Sequence, residues 1–422
     1  MKLNYKRTVL VGFAFFLILS FWGAYDAIVP LILGNRFHMD EVTSGFIMSL
    51  DNIFAVVMLP LFGALSDRVK TPLGKRTPFI IVGTLVAALA LSALGFVTSL
   101  PLFITVLFVA LLAMAVFRSP AVALMPDITV RPLRSKGNAI INLMGAAGGI
   151  VALVLAEVFG TSEKGKTDFG GYLIAIAAVM LVSLIVFLLT VKENKWAKEA
   201  EEAGRVYESE PEDNAEKRKL NRSELVSLCF LLASVALWYI GYNAITTKYS
   251  LYATNVLEVS YSTTLLIAQA AAIVSYVPVG IIASRFGRKR VVLAGVLMLA
   301  VAFGAAAFIT KGSSPYVMYF LFALAGIGWA TINVNSFPMV VELAAGGDVG
   351  KYTGYYYTAS MAAQIVTPVL SGVFLQHVGW WTFFPYATIF VSASFVTMLF
   401  VKHGGSPDET KTDTQTEIDA EI

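Results

Sequence analysis

Apolar runs of about twenty residues recur along nearly the whole of this chain, and they limit its fold more than any other feature. Each run is long enough to cross the hydrocarbon core of a bilayer as a helix, which needs about 20 apolar residues. Twelve such runs lie between residues 8 and 401. We therefore predict an all-α membrane protein with twelve transmembrane helices.

The composition agrees with this class. Apolar residues make up 57% of the chain and charged residues 14%, against about 45–50% and about 25% in soluble domains. The first apolar run is too long for a signal peptide, so we interpret it as a retained span. The single cysteine, Cys229, excludes an internal disulfide and is interpreted as a packing residue. The net charge of +3 gives no indication of nucleic-acid binding.

Lys and Arg are distributed unequally among the loops. One alternating set of loops contains most of them, including Arg68, Arg134 and Arg288. The other set contains only Arg36, Lys164, Lys166, Lys248 and Lys311. By the positive-inside rule the basic loops are cytoplasmic. Both termini are then cytoplasmic, which agrees with an even number of spans because it puts the two termini on the same side, and we expect a multi-pass protein of the cell membrane.

Two parts of the chain repeat each other at about half its length. Asp127 and Lys136 lie nine residues apart, and Glu342 and Lys351 repeat that spacing 215 residues further on. Duplicated halves that are rich in membrane spans are typical of secondary transporters. We therefore expect two pseudo-symmetric six-helix bundles.

One long polar stretch, 192–222, divides these halves. Its charge density predicts a solvated, partly helical cytoplasmic linker, with a regulatory docking site as the alternative. We predict an N-terminal six-helix bundle at 1–191 and a C-terminal six-helix bundle at 223–401. The acidic segment 402–422 is predicted to be a disordered cytoplasmic tail.

Related motifs follow the second and eighth spans, GALSDRVKTPLGKRTPFI from Gly63 and GIIASRFGRKR from Gly280. They resemble the signature loops of the major facilitator superfamily, and the resemblance covers about residues 8–401. The longer first motif, which ends in Gly-Lys-Arg-Thr-Pro-Phe-Ile, resembles the glycoside–pentoside–hexuronide:cation symporters, especially the branch with the plant sucrose carriers. YDAIVPLIL in span one and SPAVALMPDI in span four are similar to patterns of that branch. The resemblance implies cation-coupled sugar transport by two bundles that rock about a central substrate site.

Two departures from that family's pattern bear on the coupling ion and on a basic residue. Where the melibiose carriers have two acidic residues for Na⁺, this chain has Ala55 and Leu59, with Asp51 one turn further out. We therefore expect coupling to H⁺ rather than to Na⁺. Where the sucrose carriers have an Arg after the span-four Pro, this chain has Val122, and Arg118 lies one turn earlier.

Three ionisable residues fall well inside predicted spans, namely Asp26, Asp51 and Arg118. A charge at the bilayer centre costs about 2.5–3.5 kcal/mol on insertion scales, so such residues are candidates for function. Removal from water favours the protonated form of a carboxylate, and a nearby Arg opposes this effect. We predict that Asp26, or Asp51 as second choice, takes the coupling proton and that Arg118 controls its release. The alternatives are an ionised helix–helix tie for Asp26, a polar cluster for Asp51, and snorkelling toward the cytoplasm for Arg118.

Charges at the inner helix ends are interpreted as a conformational latch that holds one facing state. Its predicted members are Asp67, Arg68, Asp127, Lys136, Arg285, Glu342 and Lys351. The repeated spacing of the two acid–lysine pairs favours this role over contact with a substrate. Glu157, near the outer end of span five, is interpreted as an interfacial residue.

Sugar binding needs aromatic faces for the C–H surface of the ring and amides for its hydroxyl groups. Aromatic residues alone belong more often to the core or to the interfacial belt, so the Asn and Gln residues beside them carry this prediction. The predicted substrate-binding residues are Trp22, Tyr25, Asn138, Asn142, Trp238, Tyr242, Asn243, Trp329, Asn333, Asn335, Tyr357 and Gln364.

Other chemistry is poorly represented in the sequence. The chain has no Gly-Lys-Ser/Thr phosphate loop, which argues against ATP as the energy source. Its three histidines lie in predicted loops or in the tail, and with one cysteine they indicate no metal site. No nucleophile–base arrangement is visible. We predict no enzymatic activity and no cofactor.

The sequence therefore predicts a secondary active transporter, a proton-coupled symporter of a sugar such as a disaccharide or glycoside, which works by alternating access. Its predicted partners are the sugar, H⁺ and the lipid bilayer, with no nucleic acid, and we expect a monomer. Two alternatives remain open, a proton-driven efflux carrier for amphipathic small molecules and a non-transporting membrane sensor.

Overall fold

The computed structural model describes residues 3–130, 133–205, 220–343 and 349–402, and apart from turns this part of the chain is helical. Its helices are α1 Tyr5–Leu31, α2 Glu41–Arg68, α3 Thr77–Leu94, α4 Leu100–Asp127, α5 Arg134–Val158, α6 Gly170–Thr190, α7 Glu193–Arg205, α8 Arg222–Tyr252, α9 Tyr261–Phe286, α10 Arg288–Ala306, α11 Pro315–Glu342, α12 Val349–His377 and α13 Phe383–Leu399. All but α7 are long and apolar enough to cross a membrane. The predicted class, an all-α protein with twelve transmembrane helices, is confirmed.

Packing divides the chain into two compact units. Unit 1 is Met1–Glu212 together with Thr247–Leu266, and unit 2 is Asp213–Thr246 together with Ile267–Ile422. The sequence assigned 223–401 to one bundle, whereas in the structure the end of α8 and the start of α9 are grouped with unit 1. The domain boundaries inferred from the sequence stay predictions.

Two helices run further than the sequence suggested. A π-helical turn, Ile32–Arg36, prolongs α1, and another, Ala253–Leu257, prolongs α8. Arg36 and Lys248, which were interpreted as loop residues, therefore lie within helical segments. Lys248 is fully buried in α8, at 0% exposure.

Glycines bring pairs of helices into close contact. In unit 1, Gly148 of α5 lies against the carbonyl group of Phe16, and Ser20 Oγ donates to the Gly148 carbonyl at 3.3 Å. In unit 2, Gly295 of α10 and Gly328 of α11 face each other, and a Cβ added to either would come within 2.9 Å of the other's carbonyl oxygen. Small residues permit such close packing where lipid supplies no hydrophobic drive for helix association.

Both ends of α3 are capped by side chains from other parts of unit 1. At its N-terminus, the Glu193 carboxylate accepts hydrogen bonds from the backbone N–H groups of residues 75–77 at 2.7–2.9 Å. At its C-terminus, the Arg36 guanidinium donates to three carbonyl groups within 94–97 at 2.9–3.2 Å. These charges satisfy groups that a helix leaves unpaired, and each has the sign that suits the helix dipole at its end.

The helix α7 opens the predicted linker and packs against unit 1. Trp196 is 7% exposed, and the Arg7 guanidinium lies 5.2 Å from its ring centre. Arg7 also pairs with Glu199. The Asn194 side chain donates to two carbonyl groups of the loop before α3 at 2.9 and 3.0 Å. The first turn of the predicted solvated linker is therefore docked.

Candidate functional site

An acidic cluster lies inside unit 1 and is built from three helices. Asp26 is on α1, Asp51 is on α2 and Arg118 is on α4, and the three groups are within electrostatic reach of one another. Asp26 lies deep in the unit, yet its side chain is exposed, while Tyr25 and Ala27 on either side are buried. Asp26 therefore borders open space. The Asn52 side chain donates to Asp51 Oδ1 at 2.8 Å.

Two aromatic residues adjoin this cluster. The Arg118 guanidinium carbon lies 5.6 Å from the ring centre of Trp22, a cation–π distance, and the rings of Trp22 and Tyr25 meet edge to face at 5.2 Å. Trp22 Nε1 and Tyr25 Oη are buried atoms with no hydrogen-bond partner among the described residues. Leaving such groups unpaired is unfavourable, so they are suited to donate to a bound molecule.

Asn138 and Asn142, predicted to bind the substrate, lie far from this cluster. Both are exposed near the start of α5, and the Asn142 side chain donates to the Asn138 carbonyl at 2.9 Å. Gly12 of α1 is level with this part of α5, since a Cβ there would meet Met144 at 2.9 Å. At 1.5 Å per residue, Asp26 is roughly 20 Å further along α1. The structure does not join these amides to the acidic cluster.

An aromatic cluster lies in unit 2, where α8, α11 and α12 meet. The rings of Tyr242 and Trp329 are parallel within 2° and 3.7 Å apart, and Tyr239 meets Trp329 edge to face at 5.3 Å. Trp238 Nε1 and Asn243 Nδ2 are buried without a partner among the described residues. Four predicted ligands therefore lie in this region, Trp238, Tyr242 and Asn243 on one stretch of α8 and Trp329 against Tyr242.

The other predicted ligands of unit 2 are differently placed. Asn335 is 2% exposed, and its amide donates to the Thr331 carbonyl at 2.9 Å. Gln364 donates to the Ser360 carbonyl at 3.3 Å. Asn333 is half-buried and Tyr357 is half-exposed. Asn335 and Gln364 each donate one hydrogen bond within their own helix, so part of the hydrogen-bonding capacity of each amide is used there.

Three hydroxyl groups beside the aromatic cluster were not selected as ligands from the sequence. The hydroxyl groups of Tyr239 and Tyr356 are hydrogen-bonded to each other, and Tyr356 Oη lies 3.0 Å from Ser336 Oγ. The signal was present in the GYYYT run of α12, of which only the third tyrosine was selected.

Two of the predicted latch residues of unit 1 meet at Arg76, which the sequence analysis did not select. Its guanidinium is 5% exposed, binds Asp67, and donates to Asp127 Oδ2 at 2.8 Å. Lys75 Nζ lies 3.1 Å from the same Asp127 atom. The predicted partner of Asp127, Lys136, has a side chain outside the described part of the chain. Arg68, also predicted, is exposed.

The corresponding charges of unit 2 form a simpler arrangement. Glu342 pairs with Arg288, whose side chain is 35% exposed. The Lys351 ammonium, predicted to pair with Glu342, lies 5.8 Å from the ring centre of Tyr355, and Arg285 is exposed. The structure therefore gives Glu342 a different basic partner from the one that repeat spacing suggested, because the first turn of α10 brings Arg288 to it.

Sequence reasoning also missed Glu193 as part of the latch. Besides capping α3, Glu193 Oε2 accepts from Thr77 Oγ1 at 2.7 Å, and the residue is 3% exposed. The backbone it holds is that of Arg76, so the position of the latch arginine depends on it. An acidic residue directly after span six, with Trp196 three residues later, was the available signal.

The sequence of this chain is similar to a family of known proteins and to one curated relative. The family model described as Major Facilitator Superfamily matches residues 11–277 and 264–419. A curated relative, a putative tartrate transporter from Agrobacterium vitis, is 27% identical over 169 residues, which is 40% of this chain. The match covers 36% of that relative's length.

Solved structures with the same fold cover nearly the whole chain. The nucleoside transporter NupG (D323A mutant) is 15% identical with a TM-score of 0.69, over 94% of this chain and 100% of that one. A POT family transporter in complex with 5-aminolevulinic acid is 11% identical with a TM-score of 0.72, over 94% and 95%. The xylose transporter XylE from E. coli is 12% identical with a TM-score of 0.69, over 96% and 98%. At these identities the likeness concerns the fold.

Proposed function

Because this chain belongs to the Major Facilitator Superfamily, and is therefore a multi-pass secondary transporter of that type, we propose that it couples the uptake of a sugar to the downhill movement of protons. The proposed substrate is a disaccharide or another glycoside. The proposal includes a cell-membrane location with both termini in the cytoplasm. We propose alternating access as its mechanism.

The observation that carries proton coupling is the exposed Asp26 within a membrane-spanning helix, in the second half of α1. Its neighbours Asp51 and Arg118 allow two arrangements of charge. With both carboxylates ionised, the cluster has a net charge of −1, and one proton makes it neutral. Because a net charge is unfavourable in a low-dielectric environment, the neutral form suits the step that moves the site across the membrane. Asp26 is the proposed proton carrier, and Asp51 is the second choice.

Sugar recognition is supported by the donors and rings that each unit offers. Trp22 Nε1 and Tyr25 Oη are buried donors of unit 1 with no partner among the described residues, and Trp238 Nε1 and Asn243 Nδ2 are such donors of unit 2. Each of these atoms needs an acceptor, and sugar hydroxyl and ring oxygens are acceptors. The parallel Tyr242 and Trp329 rings add flat apolar surface for the C–H face of a sugar.

The test is uptake of labelled sugars into proteoliposomes with an imposed inside-alkaline pH gradient, with and without Na⁺. We expect uptake to follow the gradient and to be independent of Na⁺. Asp26→Asn together with Asp51→Asn should abolish the response to the gradient. Glu163→Gln is the matched control, because this carboxylate is 74% exposed on a loop. Gradient-driven uptake that survives the double replacement would remove the proton assignment.

A second candidate substrate is a hydroxy-acid anion. The partial match to a putative tartrate transporter and the position of Arg118 beside Trp22 favour it. Arg binds carboxylates through paired hydrogen bonds, so Arg118→Lys should weaken anion binding more than neutral-sugar binding. Comparing each neutral sugar with its carboxylic-acid derivative in the same assay separates the two candidates.

A further inference from the structure

Three hydroxyl groups of unit 2 link the three helices that meet at its aromatic cluster. Tyr239 is on α8, Tyr356 is on α12 and Ser336 is on α11. The hydroxyl groups of Tyr239 and Tyr356 are hydrogen-bonded to each other, and Tyr356 Oη lies 3.0 Å from Ser336 Oγ. We call these three groups the hydroxyl bridge. The bridge lies beside the stacked Tyr242 and Trp329 rings and contains none of the predicted ligands.

The hydroxyl bridge runs from the core of the unit to the rings. Ser336 is 0% exposed and Tyr356 is 4% exposed, whereas Tyr239 is half-buried. The Phe337 ring also meets the Tyr356 ring edge to face at 5.4 Å. Buried hydroxyl groups that have partners hold the side chains that carry them in one position. The buried end of the bridge is therefore fixed, and Tyr239 is its end at the rings.

Ser336 uses its hydroxyl group differently from other buried hydroxyl residues of this unit. The hydroxyl groups of Thr331, Thr367 and Ser394 each donate to a carbonyl group of their own helix at 2.6–2.7 Å. This is the usual way for Ser and Thr to satisfy themselves within a helix. The Ser336 hydroxyl group instead lies against Tyr356, a side chain of another helix. Its contact therefore contributes to the position of that side chain.

Tyr239 is held at both ends of its side chain. Its hydroxyl group is bonded to Tyr356, and its ring meets the Trp329 ring edge to face at 5.3 Å. A tyrosine side chain has only two torsion angles, so a fixed hydroxyl group also restricts the plane of the ring. An edge-to-face contact depends on that plane, because the positive edge of one ring must meet the negative face of the other. Tyr239 therefore transmits the position of the bridge to Trp329.

These contacts form a closed circuit around Trp329. Ser336 lies seven residues after Trp329 on α11, which is about two helical turns, so both lie on the same face of that helix. The circuit leads from Ser336 through Tyr356 and Tyr239 back to Trp329. Tyr242 adds a parallel contact at 3.7 Å. A ring that is held in this way has little freedom left to lose when a ligand binds, which favours binding.

We propose that Ser336, Tyr356 and Tyr239 are positioning residues, which hold the Trp329 ring in the orientation that binds the substrate. This inference rests on the proposed function, since it takes a sugar as the molecule that binds the ring. The three residues act on the sugar through Trp329. They therefore set the affinity for the sugar and leave the coupling to protons unchanged.

Fluorine NMR of protein labelled with fluorotryptophan tests the hydroxyl bridge without any substrate. The signals of Trp329 and of Trp196, which is in unit 1, are assigned by their loss from Trp329→Phe and Trp196→Phe. Tyr356→Phe and Ser336→Ala each remove one hydroxyl group of the bridge. Both should shift or broaden the Trp329 signal, because the ring is no longer held in one orientation. The Trp196 signal should stay unchanged.

Two matched controls remove hydroxyl groups outside the bridge. Ser394→Ala removes a buried hydroxyl group that bonds within its own helix, and Tyr316→Phe alters a ring that is 76% exposed. Neither should move the Trp329 signal. Adding Ser336→Ala to Tyr356→Phe should cause no further shift, because Ser336 reaches the ring through Tyr356. Residues that act through one another are not additive, whereas independent sites are.

Uptake of labelled sucrose and maltose into proteoliposomes then shows whether the position of the ring affects binding. KM should rise about two- to tenfold in Tyr356→Phe and in Ser336→Ala, the range expected for the loss of one hydrogen bond. The maximal rate and the ratio of driven uptake to exchange should stay unchanged. A merely structural role would instead lower the maximal rate through loss of folded carrier and leave KM as it was.

Four results would overturn the positioning proposal. They are an unchanged Trp329 signal in both variants, an equal shift of the Trp196 signal, an additive effect in the double variant, and an unchanged KM in variants whose Trp329 signal has moved. Failure of the proposed function has a different signature. Neither disaccharide would then be taken up or would move the Trp329 signal of the unaltered protein, while Tyr356→Phe and Ser336→Ala would still move it.

Discussion

The two units differ in where they keep their charges. Unit 1 has Asp26, Asp51 and Arg118 more than one turn inside its spans, whereas the described helices of unit 2 have charged residues only near their ends. In unit 2 the corresponding interior is lined by Tyr242, Trp329 and unpaired donors. The two units therefore differ in the chemistry of their interiors. The difference supports a division of labour, with proton handling in unit 1 and recognition of an uncharged surface in unit 2.

The charges at the helix ends also differ between the units, since Arg76 of unit 1 is buried and Arg288 of unit 2 is partly exposed. Replacing Arg76 should therefore give the largest loss of folding stability. Arg76→Leu removes a buried cation that two carboxylates share, and losing one partner of a buried pair costs about 3–5 kcal/mol. We expect the lower end of this range, because the Asp67 side chain is 58% exposed. Unfolding in mixed micelles measures it, with Arg68→Leu as the exposed control. Equal losses from the two variants would remove the distinction between them.

Replacing the proposed proton carrier should have the next largest effect. Asp26→Asn keeps the shape of the side chain and removes its titration. Coupling between two binding events is typically about 1–3 kcal/mol, so gradient-driven uptake should fall by about 5–150-fold. Substrate exchange without a gradient should persist, which separates lost coupling from lost folding. An equal loss of exchange would contradict the division of labour.

Replacing an aromatic residue of unit 2 should weaken substrate binding and leave proton coupling unchanged. Trp329→Ala removes the ring that stacks on Tyr242, and aromatic pairs contribute about 0.5–1.5 kcal/mol beyond their buried area. We expect KM for the sugar to rise by about tenfold or less while the ratio of driven uptake to exchange stays constant. Trp381→Ala, at a 69%-exposed ring, is the control. A changed ratio would place coupling in unit 2 as well.

The smallest effect should come from the latch of unit 2. Arg288→Leu removes a pair between side chains that are 35% and 46% exposed. Exposed ion pairs contribute about 0–1 kcal/mol, and added salt weakens them. The midpoint of thermal unfolding should therefore move much less than in Arg76→Leu. A comparable shift would show that the helix-end charges of the two units are equivalent.

The sequence was sufficient for the spans because bilayer thickness fixes their length. It also indicated Asp26, Asp51 and Arg118, since any charge inside an apolar run is conspicuous. Repeat spacing was a poor guide to charge pairing. Asp127 binds Arg76 because the turn at Gly74, where φ is +125°, returns the chain toward α4. That turn lies in the loop between α2 and α3, whereas the repeated spacing of Asp127 and Lys136 concerns the loop between α4 and α5.

Charge density also misled at two places. Glu193 stands in the most polar stretch of the chain, and it is buried because three successive backbone N–H groups at the start of α3, those of residues 75–77, need an acceptor. Lys248 was interpreted as a loop residue directly after span seven, and it is buried because Glu41, more than 200 residues earlier, lies beside it. Both environments depend on contacts between distant parts of the chain, and composition within a window does not contain them.

The cap on α3 has a consequence for biogenesis. Thr77 and the residue that caps it are separated by 116 positions. At about 5–20 residues per second, translation reaches that residue roughly 6–23 s after the start of α3 is made. Until then the amide groups there must rely on water or lipid headgroups. The start of α3 therefore gains its cap only after the ribosome has passed the first six spans.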